Sequence, residues 1–203
     1  MSRACGSTHP EIQRPPGVPG ASHISASRTR KAVILTADKF EDMEVFVPLF
    51  RLIEEGWQVD IAAPTLDPIG GEHGYALKPA KTIDKVNPDE YDLLLIPGGF
   101  PDGAPATVRK IKRAQEIARS FFAKNKPVAS ICHGPWTLVS ADLVKGRRLT
   151  SYWHDGVPQE IQKAGGNWED EEVVVDGNLV TSRYPMDLPA FCREMLKVAQ
   201  NEA

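Results

Sequence analysis

A chain of 203 residues is long enough to bury one substantial core and too short for two ordinary domains. With 41% hydrophobic residues, 25% charged residues and a net charge of −3, it has no basic excess to hold a phosphate backbone, so nucleic acid is not expected as a partner. No run approaches the ~18 consecutive apolar residues of a membrane helix, and none has the layout of a secretory signal, so no membrane association is expected and the cytoplasm is the expected compartment.

Residues 1–30 are rich in Pro, Gly, Ser and Arg with almost no bulky apolar side chains, which predicts a disordered tail ahead of one domain over 31–203. From Lys31 onward, short β-branched runs alternate with helix-length amphipathic segments, the pattern of a parallel sheet with crossover helices. "AVILT" (32–36) reads as a first buried strand, followed by a helix over about 41–55 that Gly56 closes. "WQVDIAA" (57–63) is the second strand, and "GGEHGYALKPAKTID" is a small hairpin excursion before "YDLLLIP" (91–97) returns to the central sheet. The segment "VRKIKRAQEIARSFFAKNK" reads as a single surface helix, and "PVASI" (127–131) as the next buried strand. Pro135 suits a first helical turn, and the helix it opens is expected to run to Gly146. A helix over about 157–164, a hairpin "EVVVDGNLVTS" and a terminal helix from Asp187 complete the chain.

Three cysteines, Cys5, Cys132 and Cys192, are too few for a disulfide framework, and no Cys-x-x-Cys pair suggests zinc. Cys132, in "VASICHGPW", falls where a buried strand turns into a helix. There the helix dipole would favour the thiolate, and a merely packed thiol is the alternative. His133 is a candidate general base beside it. "LLLIPGG" opens at the same sheet edge, where Gly98 and Gly99 offer unobstructed amide N–H groups for an oxyanion. In "DKFEDMEVF", Glu41 is either a helix-dipole partner or a carboxylic acid kept protonated by burial that donates to the sulfur. No histidine pair has metal-ligand spacing, so neither metal nor cofactor is expected.

The ordered set "LTADKFEDMEV", "EEGWQVDIA", "IDKVNPDEYDLLLIPGG", "KPVASICHGPWTLVSADLVKGRRLTSY" and "AGGNWEDEEVVVDGNLVTSR" resembles the PfpI family of intracellular proteases, in the superfamily that includes the Parkinson-associated deglycase. The resemblance covers about Lys31 to Lys197. It implies an α/β fold: a flavodoxin-like three-layer sandwich with a central, mostly parallel sheet, like that of class I glutamine amidotransferases. It further implies Cys132 as nucleophile, His133 as its partner and Glu41 as the acid touching the sulfur. The amides of Gly99 and His133 would be oxyanion donors, with Tyr152 and His154 near the pocket. Family proteases take a third, acidic member from a neighbouring subunit; here Ala106 stands in that position, and Asp102 is the carboxylate nearby. A homo-oligomer, dimer or hexamer, is implied as well.

Several chemistries share these residues. One is a cysteine hydrolase acting on peptides or on carbonyl-modified groups; another is a cofactor-free glyoxalase acting on small dicarbonyls; a third is a redox sensor with an oxidisable Cys132. A glutamine amidotransferase is set aside, because neither His133 nor His154 begins the His-x-Glu pair that it needs.

Overall fold

The structure is a computed structural model that describes residues 28–200; the expected tail at 1–27 lies outside the described residues. The first strand, β1 (Lys31–Leu35), leads through a short loop to α1 (Asp42–Glu54), and β2 (Gln58–Ala63) follows. Then come the two-residue strands β3 (Ile69–Gly70) and β4 (Ala76–Leu77), which pair antiparallel as the expected hairpin, and β5 (Lys81–Thr82). Next along the chain are β6 (Leu93–Ile96), α2 (Ala104–Val108), α3 (Lys112–Ala123), β7 (Val128–Ile131) and α4 (Pro135–Ser140). The last third holds β8 (Arg148–Leu149), α5 (Val157–Lys163), β9 (Asn167–Trp168), β10 (Val173–Asp176), β11 (Leu179–Ser182) and α6 (Leu188–Gln200).

Seven strands form one sheet in the order β10-β11-β7-β6-β1-β2-β5, parallel except where β10 folds back on β11 across the Asp176-Gly177 turn. Because strand side chains alternate, the central strands feed two cores. Val33, Leu35, Leu94 and Ile96 face Ile117 and Phe121 of α3, whereas Ala32, Ile34, Leu93 and Leu95 face Leu52 of α1 and Phe191 and Met195 of α6. Each such Leu, Ile or Phe, fully buried, contributes about 1.5–3 kcal/mol, which is why strands with no polar side are stable only as the middle layer of a sandwich. The three-layer, flavodoxin-like arrangement is therefore the observed fold.

Three local expectations are corrected. The hairpin excursion does not stay apart from the sheet: Lys81 and Thr82 pair with Ala62 and Ala63 and extend its edge. The single helix expected from Val108 is two, because Gly103-Ala-Pro starts α2 early and Ile111 then adopts an extended backbone (φ −78°, ψ 110°) that separates α2 from α3. The helix opened by Pro135 stops at Ser140, where Asp142 enters the left-handed region at φ 58°, well before Gly146.

The parallel order places the site. β6 and β7 are neighbours, with Ile96 opposite Ser130, so the loops that leave them emerge side by side at the carboxyl edge of the sheet. The start of α1, reached from the neighbouring β1, lies beside both.

Candidate active site

Cys132 is the first residue past β7, and its backbone is held from both sides. Its N–H donates to the carbonyl of Ser182 at 3.1 Å, and its carbonyl accepts the N–H of Tyr152 at 2.9 Å. Continuing the ladder to that point while turning into α4 forces φ to 63°, a left-handed conformation that costs a non-glycine residue roughly 1–2 kcal/mol. The thiol that results is buried.

Three groups surround it. His133 turns its Nδ1 to 3.2 Å from Sγ, so the adjacent pair converges instead of splaying. The other ring nitrogen, Nε2, lies 2.9 Å from Oδ2 of Asp155. Glu44 is fully buried next to the sulfur; its Oε2 accepts the N–H of Gly98 at 2.8 Å, and its Oε1 has no hydrogen-bond partner among the described residues. The N–H groups of Gly99 and His133 point at Sγ.

Gly98 is what lets these groups meet. A Cβ built there would stand 2.6 Å from Cβ of Cys132, 2.7 Å from Oε2 of Glu44 and 2.9 Å from Sγ. Gly98→Ala is expected to displace the acid or the thiol, to cost about 1–3 kcal/mol by overpacking and to remove any Cys132-dependent turnover; thermal denaturation beside an activity assay checks it.

Two expectations about the site are revised. The acid at the sulfur is Glu44, not Glu41. Glu41 is the N-cap of α1, its carboxylate accepting the N–H of Glu44 at 2.7 Å, and its Oε1 lies 3.3 Å from Nε2 of His73 at the mouth of the cleft. The carboxylate behind the imidazole is Asp155, from the same chain, not Asp102, which is exposed and pairs with Lys39 at 3.1 Å. Tyr152 lines the cleft with its ring 4.9 Å from that of His133, while His154 packs outside the cleft against Tyr152 and Trp153.

The protonation states follow from burial. Desolvation, first, and the Glu41 charge, second, push the Glu44 carboxyl well above its ordinary value. Burial and Glu44 together push the Cys132 thiol up, against the pull of the His133 and Gly99 amides, so the depressed pKa expected from the dipole of a helix start is overturned. Burial is the larger cause and the Glu44 charge the second, beside a helix only six residues long. Burial likewise lowers the His133 pKa, with Asp155 opposing, and leaves a neutral imidazole. Asp155 accepts from Nε2–H and thereby fixes the tautomer, so Nδ1 is the free base facing the thiol.

The cleft is about 330 Å³ in volume, with Phe100, Tyr152 and Tyr184 among its walls. No cluster of three or more His, Cys, Asp or Glu side chains among the described residues could hold a metal ion.

The DJ-1/PfpI family model matches residues 30–198. A Pyrococcus horikoshii protein named deglycase PH1704 is 50% identical over 168 residues, 83% of this chain and 98% of that one. The Bacillus subtilis protein YraA, which carries a cysteine-protease name, is 40% identical over 173 residues, 84% of this chain and 98% of its own. Among solved structures, a two-domain Anabaena variabilis protein with DJ-1/ThiJ/PfpI-like and ferritin-like domains superposes with a TM-score of 0.79 at 30% identity. That match covers 83% of this chain and about half, 48%, of the other. The chain belongs to the DJ-1/PfpI family.

Proposed function

We propose that the protein is a cysteine-dependent hydrolase of carbonyl adducts, releasing an amine and a 2-hydroxy acid from the product of an amine and a small dicarbonyl. As Sγ attacks the carbinol carbon, His133 takes the thiol proton at Nδ1; the C–N bond breaks and His133 returns the proton to the departing amine. The thiohemiacetal left on Cys132 has a ketone on its neighbouring carbon. Glu44 moves a proton from the carbon bonded to sulfur to that neighbour while the hydroxyl proton passes to the ketone oxygen, through an enediol, and the product is a 2-hydroxy thioester. Water, activated by His133, then hydrolyses the thioester and restores the thiol. The sum is adduct plus water to amine plus 2-hydroxy acid, with no external oxidant. A free dicarbonyl would enter after the amine step, which is the glyoxalase variant of the same cycle.

The observation that carries this reading is the position of Glu44. A carboxyl with a raised pKa and an unpartnered oxygen at the sulfur suits a proton shuttle between carbons. Simple acyl transfer does not need it. Peptide hydrolysis is the second reading, favoured by the alignment of Cys132, His133 and Asp155 within one chain. A redox sensor has less support, because Sγ is buried and burial and Glu44 push its thiol pKa up, away from the low-pKa, exposed thiolate that oxidation favours. In the deciding experiment, wild type and Cys132→Ala are assayed for amine release from a methylglyoxal–amine adduct and, in parallel, on a fluorogenic peptide panel. Amine release that vanishes in the variant is expected; peptide cleavage without adduct turnover would overturn the reading.

We propose further that the protein self-associates through α1. That helix leaves Met43, Val47, Phe50 and Ile53 exposed beside a groove of about 700 Å³ against α6, and Met43 and Pro185 border both this groove and the Cys132 cleft. The groove carries Glu55 as well as Arg51, Arg193 and Lys197, so a second copy is a charge-compatible occupant. Sedimentation is expected to find an oligomer that Phe50→Glu dissociates.

A further inference from the structure

The chain as a whole is nearly balanced in charge, with 24 basic and 27 acidic residues, but the lining of the Cys132 cleft is not. Glu41, Glu44, Glu72 and Asp155 line it, and among the described residues it has neither Lys nor Arg. The cations nearest in sequence are engaged elsewhere: Lys39 with Asp102, and Arg183 with Asp170 and Asp187. His73, exposed at the mouth, is the one titratable group among the described residues close enough to Glu41 to pair with it.

Glu41 adds an observation independent of the charge count. Its side chain is 7% exposed and borders the cleft, and its Oε1 makes no hydrogen bond among the described residues; its neighbour there is Nε2 of the exposed His73 at 3.3 Å, an ion pair only when that imidazole is protonated. A buried carboxylate oxygen that makes no hydrogen bond is costly, and an arriving cation satisfies it. Phe100, Tyr152 and Tyr184 in the same cleft present the aromatic surface on which a cation is also stabilised. Burial raises the Glu41 and Glu72 carboxyls, though without the large displacement of Glu44, and the Glu41 charge adds to the rise at Glu72; an arriving cation relieves that repulsion.

We propose that the cleft is a charge filter: it admits cationic and neutral electrophiles to Cys132, seating a cationic end at Glu41 and Glu72, and holds off anionic ones. Together with the carbonyl-adduct reading, on which this part rests, the preferred substrates are adducts whose amine portion carries a further positive charge.

The filter can be measured without turnover. Full-length protein is treated with three methanethiosulfonates, bearing a trimethylammonium, a sulfonate or only a methyl group. Each forms a mixed disulfide at Sγ and releases methanesulfinate, and peptide-resolved mass spectrometry reads Cys132 alone. The cation-to-anion rate ratio, taken relative to the methyl reagent and to a free thiol in solution, is expected to be on the order of tenfold or more in the wild type. It should shrink in 0.5 M NaCl and fall toward one in Glu41→Gln/Glu72→Gln. Glutamine at 41 keeps an oxygen for the N–H of Glu44, so the helix cap survives, and Glu72→Gln alone serves as a second variant that leaves the cap untouched. A wild-type ratio equal to that of a free thiol overturns the filter, and a high ratio that both variants leave unaltered overturns its assignment to Glu41 and Glu72. Because the readout is thiol labelling, the filter stands or falls separately from the reaction: neutral methylglyoxal adduct turnover tests the latter alone.

Discussion

Glu44→Gln is expected to yield a protein that is more stable than the wild type at pH 8 and turns substrate over at least about a hundredfold more slowly. The folded-state pKa of Glu44 is raised above its unfolded value, so the folded chain binds that proton more tightly. Its contribution to stability is then fully present below the unfolded pKa and is lost as pH rises toward the folded pKa. Glutamine does not titrate, and its amide oxygen can still accept the N–H of Gly98. The two proteins should therefore melt together near pH 4 and diverge as pH rises. The variant should be the more stable of the two at pH 8, where each kcal/mol moves the midpoint of a chain this size by ~2–4 °C. The same substitution removes the charge that raises the Cys132 thiol, so iodoacetamide should label Cys132 faster while turnover falls. Slower labelling, or a stability gap that does not grow with pH, would show that Glu44 is not the buried acid of this pair.

For Asp155→Asn the expectation is a loss of about 10–100-fold in kcat/KM, smaller than for a buried triad acid because Asp155 is partly open to solvent. Asparagine can present its amide NH2 to Nε2, which would favour the tautomer with the proton on Nδ1 and take away the base facing Sγ. The pH profile separates this from a packing defect. Asp155 raises the His133 pKa against burial, so its loss lowers that pKa further and moves the acidic limb of kcat/KM to lower pH even as the plateau falls. An unmoved limb with a lower plateau would reduce Asp155 to a structural residue.

How far the sequence carried can be judged from these same residues. The strands were legible because the central ones are apolar on both faces, and the strand-to-helix turn at Cys132 followed from "VASICHGP" alone. What failed was short range. Arg109 is held by Ser140, Glu160 and the Trp136 ring where α2 meets α3, contacts that no local pattern reveals. Glu44 did carry a signal: it is spaced by fours with Pro48 and Leu52 on the buried face of α1, and a carboxyl on an apolar stripe is out of place there unless it has a task. Reading Glu41 as a cap and Glu44 as part of that stripe would have ordered the two correctly. Asp155 had no such signal, because 22 residues separate it from His133 and only the return of Tyr152 to the Cys132 carbonyl brings it near.

The left-handed backbone at Cys132 has a practical consequence. Position 132 would be more comfortable as glycine or asparagine, and position 44 as glutamine, so both residues that define the site work against the stability of the fold. Laboratory evolution that rewards heat tolerance alone would drift toward those replacements and deliver a hardier, inert protein. Selection here has to score chemistry and endurance in the same round.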